Sequence, residues 1–451
     1  MYRFLATITI AILLFVGCSQ EIDKIEYNNE LKNNENNVDE NPSGFSGSEI
    51  DNKDINTEVD KKPVESNYKY VIDTNKSIEE NIDNILKNMS LNEKIGQLFI
   101  VDADSLNNGN TLTNITDNAN DIIKTYNPSG VIFFKNNIET INQTYDLISN
   151  LQESSALPLF ISVDEEGGLV SRIAKNPNMH ATILPNSKVI GETNNPKNAY
   201  EIGTILAREI SSLGFNMDFA PVADVNTNKD NEVIGVRAYG SDKDLVGDMV
   251  YNAVQGIQSE NVSAVIKHFP GHGDTTNDTH TGSVVVNHNI DRLREVEFIP
   301  FIRGIEASVD GVMMAHIKVP NVTKDDIEAS LSKEIVTDLL RKELGYNGLV
   351  ITDALNMGAI ANEYSAQEAC VKAILAGVDI LLMPIPFEES YVNLMKAVNE
   401  GVITEDRIDE SVKRILTVKI NRKLFEEHIK NPHEVLGNNN HKKIIEDINS
   451  K

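Results

Sequence analysis

The chain has 451 residues, of which 40% are hydrophobic and 24% charged, an ordinary globular composition that excludes a wholly disordered or collagen-like protein. Asp and Glu number 68 against 41 Lys and Arg, so the formal net charge is −27. Such a balance leaves no basic surface to attract a phosphate backbone, which excludes nucleic acid as an expected partner.

The first residues have the pattern of a secretory signal. Arg3 gives a minimal basic start, and residues 4–16 form an apolar run, interrupted by two threonines, that is too short to span a bilayer. The sequence Leu14-Phe15-Val16-Gly17-Cys18 resembles a bacterial lipoprotein box, in which cleavage leaves the cysteine as a lipid-modified first residue. We therefore expect a signal peptide over residues 1–17 and an extracytoplasmic protein, anchored to the bacterial cell membrane through acyl chains on Cys18. A plain exported protein or an uncleaved anchor is the alternative.

Residues 18–74 are rich in Asn and in charged side chains, are poor in apolar ones, and lack a sustained period of 2 or 3.6. A segment of this composition cannot bury enough apolar surface to fold, so we expect a disordered tether. The folded domain is expected over residues 75–425, with a C-terminal tail over residues 426–451. Acylation of Cys18 excludes an intramolecular disulfide, and Cys370 is expected to be a buried small hydrophobe.

Short apolar runs recur beyond Ser77. They occupy residues 97–101, 130–134, 159–163, 217–222, 264–267, 311–315, 348–352 and 379–383. Segments with helical periodicity lie between them, including residues 199–213, 244–258, 293–307 and 333–344. Because strands that alternate with helices form a parallel sheet, we predict an α/β fold with a single (β/α)8 TIM barrel. A doubly wound open sheet is the alternative.

Polar side chains follow these runs directly. They are Asp164 with Glu165 and Glu166, Asp224, His268 with His272, His316, and Asp353. The carboxyl ends of barrel strands open onto one face, so we expect these side chains to converge there. Glu165 and Glu166 are interpreted as structural, because adjacent side chains on a strand end cannot both face one pocket.

The most informative stretch is Lys267-His268-Phe269-Pro270-Gly271-His272-Gly273-Asp274-Thr275-Thr276-Asn277-Asp278-Thr279-His280. Asp278 can hold one ring nitrogen of His280 and leave the other free for proton transfer, although a structural role for the pair is the alternative. The glycines indicate a mobile or tightly turned loop. Pro270 and the glycines also disfavour the helix that a zinc site on His268 and His272 would need, so neither a metal nor a cofactor is expected.

Asp353 ends the apolar run of residues 348–352. A carboxylate at the mouth of a barrel can act as a base, a nucleophile or a hydrogen-bond anchor for sugar hydroxyls. Its alternative role is to cap the next helix. For Asp164 the same two alternatives hold: a chemical role at the mouth of the barrel, or a structural role as the cap of a helix.

These stretches resemble glycoside hydrolase family 3, and specifically its β-N-acetylglucosaminidase branch, from about Leu86 to Leu424. The resemblance implies a retaining double displacement in which Asp353 is the nucleophile that forms a glycosyl-enzyme. It also implies that His280 is the general acid and then the general base, tuned by Asp278.

The resemblance assigns substrate contacts to several further residues. Sugar-binding roles fall on Asp164, Arg172, Arg237, Lys267 and His268. His316 is expected to line the pocket or to support its wall, and His272 to be structural. For each arginine, a surface salt bridge is the alternative.

We therefore expect an exo-acting β-N-acetylglucosaminidase, a monomer, that cleaves peptidoglycan fragments or related glycans. The sequence Ala354-Leu355-Asn356-Met357 lacks the Trp that the glucosidase branch commonly has after its nucleophile, so N-acetylhexosamine is expected rather than plain glucose. A phosphorylase that uses phosphate instead of water, or a β-glucosidase, is the alternative with the same residues. A non-catalytic sugar-binding lipoprotein is the alternative from another class, and the complete set of Asp353, Asp278 and His280 argues against it.

Overall fold

The apolar runs of the sequence form a parallel sheet of eight strands. A computed structural model of the chain describes residues 68–276, 278–324, 326–426 and 430–449. The strands, in chain order, are β1 Phe99–Asp102, β2 Gly130–Ile132, β3 Phe160–Val163, β4 Met217–Asp218, β5 Ser263–Phe269, β6 Val284–Val285, β7 Gly311–Met314, β8 Ile317–Lys318, β9 Leu349–Thr352 and β10 Leu381–Leu382. The large sheet has the order β10-β1-β2-β3-β4-β5-β7-β9, and β6 pairs with β8 in a separate sheet.

A parallel bridge between Ile351 and Ile380 links β9 to the beginning of β10, so the sheet is a nearly closed barrel. The predicted TIM barrel is confirmed. Its longer strands are buried along their whole length, which explains why they read as continuous apolar runs rather than as alternating ones.

Helices cover the barrel. They are α1 Ile78–Asn88, α2 Leu91–Gly96, α3 Asp117–Tyr126, α4 Ile141–Glu153, α5 Ser187–Glu192, α6 Pro196–Ser212, α7 Lys243–Gln258, α8 Ile290–Arg292, α9 Phe298–Glu306, α10 Gly358–Ala361, α11 Ala366–Ala376, α12 Phe387–Asn399, α13 Glu405–Asn421, α14 Pro432–Val435 and α15 Asn439–Asn449. Two further segments, Leu293–Glu297 and Glu334–Glu343, are π-helical. The predicted helix over 333–344 is therefore present, but in π rather than α geometry. Short 3-10 helices in the described residues are Ala103–Asn107, Lys135–Asn137, Pro177–Met179, Gly235–Arg237 and Ala329–Leu331.

Local sequence signals set the ends of the large helices. Pro196 occupies the first turn of α6, where its missing N–H removes no hydrogen bond. The side chain of Asp242 caps α7 by accepting from the N–H groups of Asp244 and Leu245. These two helices can pack closely because Gly256 has no side chain. A Cβ at that position would lie 2.2 Å from the carbonyl oxygen of Tyr200.

The barrel interior has its own apolar core, to which α13 contributes Ile415 and Val418. On the same helix, Lys419 is buried with its ammonium 5.0 Å from the Phe160 ring centroid. Its Nζ donates to Oε1 of Gln97 over 2.8 Å. Burial lowers the pKa of Lys419 well below its usual range.

The packed chain begins earlier than the predicted tether allows. Tyr70 lies inside the predicted 18–74 tether, but its ring is buried and its hydroxyl donates to Glu93. Lys69 donates a backbone hydrogen bond to Ala156. The predicted signal peptide and Cys18 lie outside the described residues. No helix in the described part of the chain has the length and apolarity required to cross a bilayer.

The tail and the remaining cysteine are also packed. Cys370 is buried with a free thiol, as predicted, and burial raises the pKa of that thiol to about 12. In the tail, His441 on α15 contacts the carboxylate of Glu209 on α6 through Nδ1 at 2.7 Å. The backbone N–H of Gly437 donates to the same carboxylate. These contacts hold the tail against the helical layer.

Candidate active site

A cavity of about 370 Å³ opens at the carboxyl ends of the strands. Its lining includes the predicted residues Asp164, Arg172, Arg237, Lys267, His268, His280 and Asp353. The side chains come from positions spread over nearly the whole barrel, and the parallel strands bring them to one face.

Lys267, on β5, lies at the centre of an ion network. Its Nζ is 2.7 Å from Oδ1 of Asp164 and 2.7 Å from Oε1 of Glu166. Glu166 also accepts from Nε and Nη2 of Arg237 over 2.8 and 2.7 Å, a bidentate pair. Negative and positive groups alternate along this network, in the order Asp164, Lys267, Glu166 and Arg237, so their formal charges cancel.

The interpretation of Glu166 as merely structural is wrong, because its carboxylate lines the cavity and connects two of the predicted binding residues. The alternation of side chains continues past the end of β3 at Val163, so Asp164 and Glu166 line the cavity and Glu165 does not. Gly167 and Gly168, both at positive φ, then turn the chain. Glu165 does face away, as expected: its carboxylate accepts from the backbone N–H groups of Arg172 and Ile173.

Charge pairing sets the protonation of the network. Burial disfavours the ionised form of Glu166, but Lys267 and Arg237 outweigh burial and lower the pKa of Glu166 well below its usual range. Burial likewise opposes the charge on Lys267, while Asp164 and Glu166 raise the pKa of Lys267. Both side chains are therefore charged at neutral pH.

His268 belongs to a carboxylate–imidazole pair that the sequence analysis did not identify. Its Nδ1 donates to Oδ2 of Asp224, which is fully buried, over 2.7 Å. The other oxygen of Asp224 accepts from the backbone N–H of His272 over 2.7 Å. This pairing fixes the tautomer and leaves Nε2 of His268 for a ligand. The position of Asp224 directly after an apolar run was the available signal.

Asp353 follows β9, and its backbone N–H donates to the carbonyl of Met314 on the neighbouring strand β7 over 3.0 Å. Its Oδ1 accepts from the N–H of Ala354 over 2.8 Å. Burial disfavours ionisation, but the His268 ring, the Ala354 N–H and the Lys267 ammonium together lower the pKa of Asp353. The side chain is an ionised carboxylate in a partly enclosed cavity, a state suited to nucleophilic attack.

Asp278 and His280 form the predicted pair. Oδ1 of Asp278 accepts from Nδ1 of His280 over 2.7 Å and from the His280 backbone N–H over 2.8 Å. Burial opposes ionisation of Asp278, but these hydrogen bonds outweigh it and lower the pKa of Asp278. The His280 side chain is 67% exposed and lines the cavity, with Nε2 free of the pairing with Asp278.

The loop that carries this pair connects β5 to β6 and is anchored at both ends. On the β5 side, Thr227 donates to Asp274 over 2.7 Å and Asn228 donates to the Thr275 carbonyl over 3.1 Å. On the other side, Val284 pairs with Ile317 in the small β6–β8 sheet, which the sequence analysis did not predict. The loop is thus fixed at its base.

His272 and His316 are neutral supports. Burial lowers the pKa of each imidazole. The substrate-binding role predicted for His316 is corrected: the ring is fully buried, its Nε2 donates to the Ala354 carbonyl over 3.1 Å, and its Nδ1 accepts from Ser330 over 2.8 Å. With both nitrogens occupied, His316 supports the wall beside Asp353, which was its other expected role. Nδ1 of His272 contacts the Thr275 hydroxyl at 2.8 Å.

Arg172 reaches the cavity from the loop after β3, and its guanidinium lies 5.9 Å from the Phe134 ring centroid. This cation–π contact places the guanidinium beside the Phe134 ring at the cavity wall, and none of the ion pairs between described residues involves Arg172. Among the described residues, no three His, Cys, Asp or Glu side chains are grouped in a way that could hold a metal ion.

A parallel barrel with ionised carboxylates and oriented imidazoles at the carboxyl ends of its strands has the architecture of a TIM-barrel enzyme. Residues 90–418 match the family described as Glycosyl hydrolase family 3 N terminal domain, and the chain belongs to glycoside hydrolase family 3.

Relatives with curated names and solved structures agree with this assignment. The chain is 33% identical over 362 residues to β-hexosaminidase A of Pseudoalteromonas piscicida, covering 74% of this chain and 60% of that protein. It is similar to a glycoside hydrolase family 3 β-N-acetylglucosaminidase from Paenibacillus sp. str. FPU-7, with a TM-score of 0.75 and 36% identity over 80% of this chain and 68% of that one. It also resembles the β-glucoside phosphorylase BglX, with a TM-score of 0.73 and 27% identity over 83% of this chain and 66% of that one.

Proposed function

We propose that the protein is a retaining exo-β-N-acetylglucosaminidase that removes terminal β-linked N-acetylglucosamine by way of a covalent glycosyl-enzyme. The observation that carries the proposal is that Asp353 and the Asp278-oriented His280 line the same cavity. An ionised carboxylate and a proton-transfer group at one cavity are what double displacement needs.

In the first step, a carboxylate oxygen of Asp353 attacks the anomeric carbon of the sugar. The bond from that carbon to the aglycone oxygen breaks, and protonated His280 gives its Nε2 proton to the leaving oxygen. Asp278 stabilises the imidazolium before the transfer and keeps the ring oriented after it.

In the second step, neutral His280 takes a proton from a water molecule through Nε2. The water oxygen attacks the anomeric carbon, and the bond to Asp353 breaks, which releases the sugar and regenerates the carboxylate. One imidazole serves both steps because the proton that it gives to the leaving oxygen in the first step is replaced by a proton from water in the second.

The ion network supplies the sugar contacts in this proposal. Asp164 presents acceptors, and Lys267 and Arg237 present donors that Glu166 holds in place. Nε2 of His268 adds a further polar atom at the cavity. Because the network is neutral overall, it suits an uncharged sugar ring rather than a free anion.

A phosphorylase is the second candidate. The observation that favours it is that the proton-transfer group is an imidazole, which carries no negative charge when neutral and therefore does not repel an anionic acceptor. The likeness to a β-glucoside phosphorylase supports the same candidate. Phosphate that accelerates turnover and yields a sugar phosphate would select this candidate over the hydrolase.

The natural substrate in this proposal is a peptidoglycan fragment or a related glycan, outside the membrane. The lipoprotein-like sequence that ends at Cys18 supports the location, and the names of the relatives support an N-acetylhexosamine sugar. The chain covers 60% of the length of the P. piscicida enzyme, so its activity and substrates are tested directly rather than transferred.

The first prediction concerns the two catalytic groups. We expect Asp353→Asn to lower kcat/KM on a chromogenic β-N-acetylglucosaminide by more than about 10³-fold, because no carboxylate remains to form the intermediate. His280→Ala should slow substrates with poor leaving groups by about 10²-fold or more and those with good leaving groups far less. Initial rates on both substrate types, and on the matching β-glucoside, provide the measurement.

Asp291→Asn is the control, since that side chain is 86% exposed on the surface and contacts only Arg294 among the described ion pairs. It should retain full activity. Asp353→Asn with undiminished activity would exclude the nucleophile assignment, and equal slowing of all leaving groups by His280→Ala would exclude the acid role.

A further inference from the structure

The loop that carries His280 touches the chain that follows the nucleophile. The N–H of Ala359 donates to the Thr279 carbonyl over 3.0 Å, and the N–H of Gly358 donates to the His280 carbonyl over 3.3 Å. These two donors are consecutive residues at the beginning of α10, shortly after Asp353. The tip of the loop is therefore hydrogen-bonded, through its backbone, to the segment that leaves the nucleophile.

Gly358 allows this approach because it has no side chain. A Cβ placed on it would lie 2.7 Å from the carbonyl oxygen of His280 and 3.1 Å from the carbonyl carbon of Thr281. The first of these distances is shorter than any normal contact, and both partners are backbone atoms that cannot turn away as a flexible side chain would. A methyl group at this position must therefore push the loop tip outward or bend α10.

The other hydrogen bonds described for the loop tip, residues 278–281, join residues of the loop to one another and do not fix the tip relative to the barrel. The Thr279 side chain is buried at the cavity, 3% exposed, whereas the His280 side chain is 67% exposed and has Asp278 as its side-chain partner. Asp278 belongs to the same loop, so its contact moves with the loop. The anchors at Asp274 and Val284 fix the base of the loop rather than its tip.

We propose that Gly358 is a positioning residue for His280: its bare backbone seats the loop tip on the nucleophile segment and so sets where Nε2 lies over the cavity. This inference rests on the proposed function, since it assumes that His280 transfers the proton. In this inference, the distance between the acid/base and the nucleophile depends on how the backbone of the loop tip contacts Gly358 and Ala359, rather than on the anchors at the base of the loop. A displacement of about 1 Å can lower a rate by about 10²-fold.

The test is Gly358→Ala. The backbone of Gly358 is not at positive φ, so alanine introduces a steric contact without backbone strain. We expect kcat/KM on phenyl β-N-acetylglucosaminide, whose leaving group needs protonation, to fall at least about tenfold. The 2,4-dinitrophenyl glycoside, whose leaving group needs no acid, should stay within about twofold of wild type in the glycosylation step.

Gly282→Ala is the matched control, because Gly282 lies in the same connection and a Cβ there meets nothing within 4 Å. This substitution removes the same backbone freedom without creating a steric contact, so kcat/KM on both glycosides should stay at the wild-type value. The double variant His280→Ala/Gly358→Ala should be no slower than His280→Ala alone, since Gly358 acts through His280.

Three outcomes overturn the inference: wild-type behaviour of Gly358→Ala, equal slowing of both glycosides, or slowing that persists undiminished in the His280→Ala background. Should His280→Ala itself show no dependence on the leaving group, the proposed function fails instead. Hydrogen exchange on the wild-type protein is an independent measurement, in which the Ala359 amide should be protected. Rapid exchange of that amide would overturn the docking contact whether or not Gly358→Ala folds.

Discussion

Glu166 holds Lys267 and Arg237 together at the cavity wall, and its charge matters to stability as well as to binding. The folded pKa of Glu166 is lowered, so the free energy of unfolding that it contributes is fully present above the pKa of the unfolded chain, near 4.5. As the pH falls below that value, the unfolded state takes up a proton that the folded state does not. The contribution is therefore lost in acid.

Replacing Glu166 by Gln should lower the free energy of unfolding at pH 7 by about 3 kcal/mol, because two buried cations lose their shared carboxylate. The difference in free energy of unfolding between the wild type and Glu166→Gln should become smaller as the pH falls below 4.5. Denaturant unfolding at several pH values measures this, and KM at pH 7 should rise in the same variant.

Glu201→Gln serves as the comparison for that measurement. Glu201 pairs with Lys197 on the surface of α6 at 3.5 Å, so its loss should change the free energy of unfolding by less than about 1 kcal/mol at any pH. If the difference in free energy of unfolding between the wild type and Glu166→Gln became larger in acid, it would contradict a lowered pKa of Glu166 in the folded protein.

At the residue scale, the sequence identified the side chains with an obvious chemical role, but of the groups that hold them it identified Asp278 and missed Glu166 and Asp224. Asp164, Lys267 and Asp353 were predicted to lie at one cavity, and they do. Glu166 was misjudged because the rule that two adjacent side chains cannot both face one pocket does not say which of Glu165 and Glu166 faces it. The contact of Gly358 with the His280 loop joins segments distant in sequence, and no local pattern encodes it.

At the scale of elements, the close pairing of α6 with α7 depends on two missing side chains, at Gly203 and Gly256, each of which lies against the backbone of the other helix. Gly256→Ala should lower the free energy of unfolding by about 1–3 kcal/mol, because a Cβ there would lie 2.2 Å from the backbone oxygen of Tyr200. Thermal or denaturant unfolding provides the measurement.

Gly247→Ala on the same helix is the control, since its Cβ would first meet the flexible Arg303 side chain. The higher helix propensity of alanine, about 1 kcal/mol, should then offset the contact. Equal destabilisation by both substitutions would show that helix packing at Gly256 is not the cause.

The elements themselves were largely predictable. Fully buried strands give continuous apolar runs, so all the barrel strands fall within or beside predicted runs, and α6 and α7 follow from their periodicity. The β6–β8 sheet was missed because its strands, Val284–Val285 and Ile317–Lys318, lie outside the eight predicted apolar runs. The π geometry of Glu334–Glu343 was missed because its apolar spacing reads as an ordinary helix.

At the scale of the whole molecule, the described residues that line the candidate active-site cavity all lie between Ile132 and Met383. We therefore expect a chain that begins at residue 68 to keep the kcat/KM of the full chain. If Cys18 anchors the protein, the full chain should sediment with membranes and the shortened chain should not. Fractionation with activity assays measures both properties.

A chain that begins at residue 75 is the companion variant. It lacks Tyr70, which is buried and donates to Glu93, so its free energy of unfolding should be lower by about 2–3 kcal/mol. Equal stability of the two shortened chains would contradict the role assigned to Tyr70.

The contact between Gln97 and Lys419 joins residues 322 positions apart, and β1 pairs with β10 across nearly the same span. A ribosome that adds about 5–20 residues per second takes roughly 15–60 s to cover that distance. Throughout this interval β1 has unpaired backbone groups along one edge, which other chains can pair with. During synthesis, the arrival of β10 and α13 is therefore the step that ends the exposure of the barrel to aggregation.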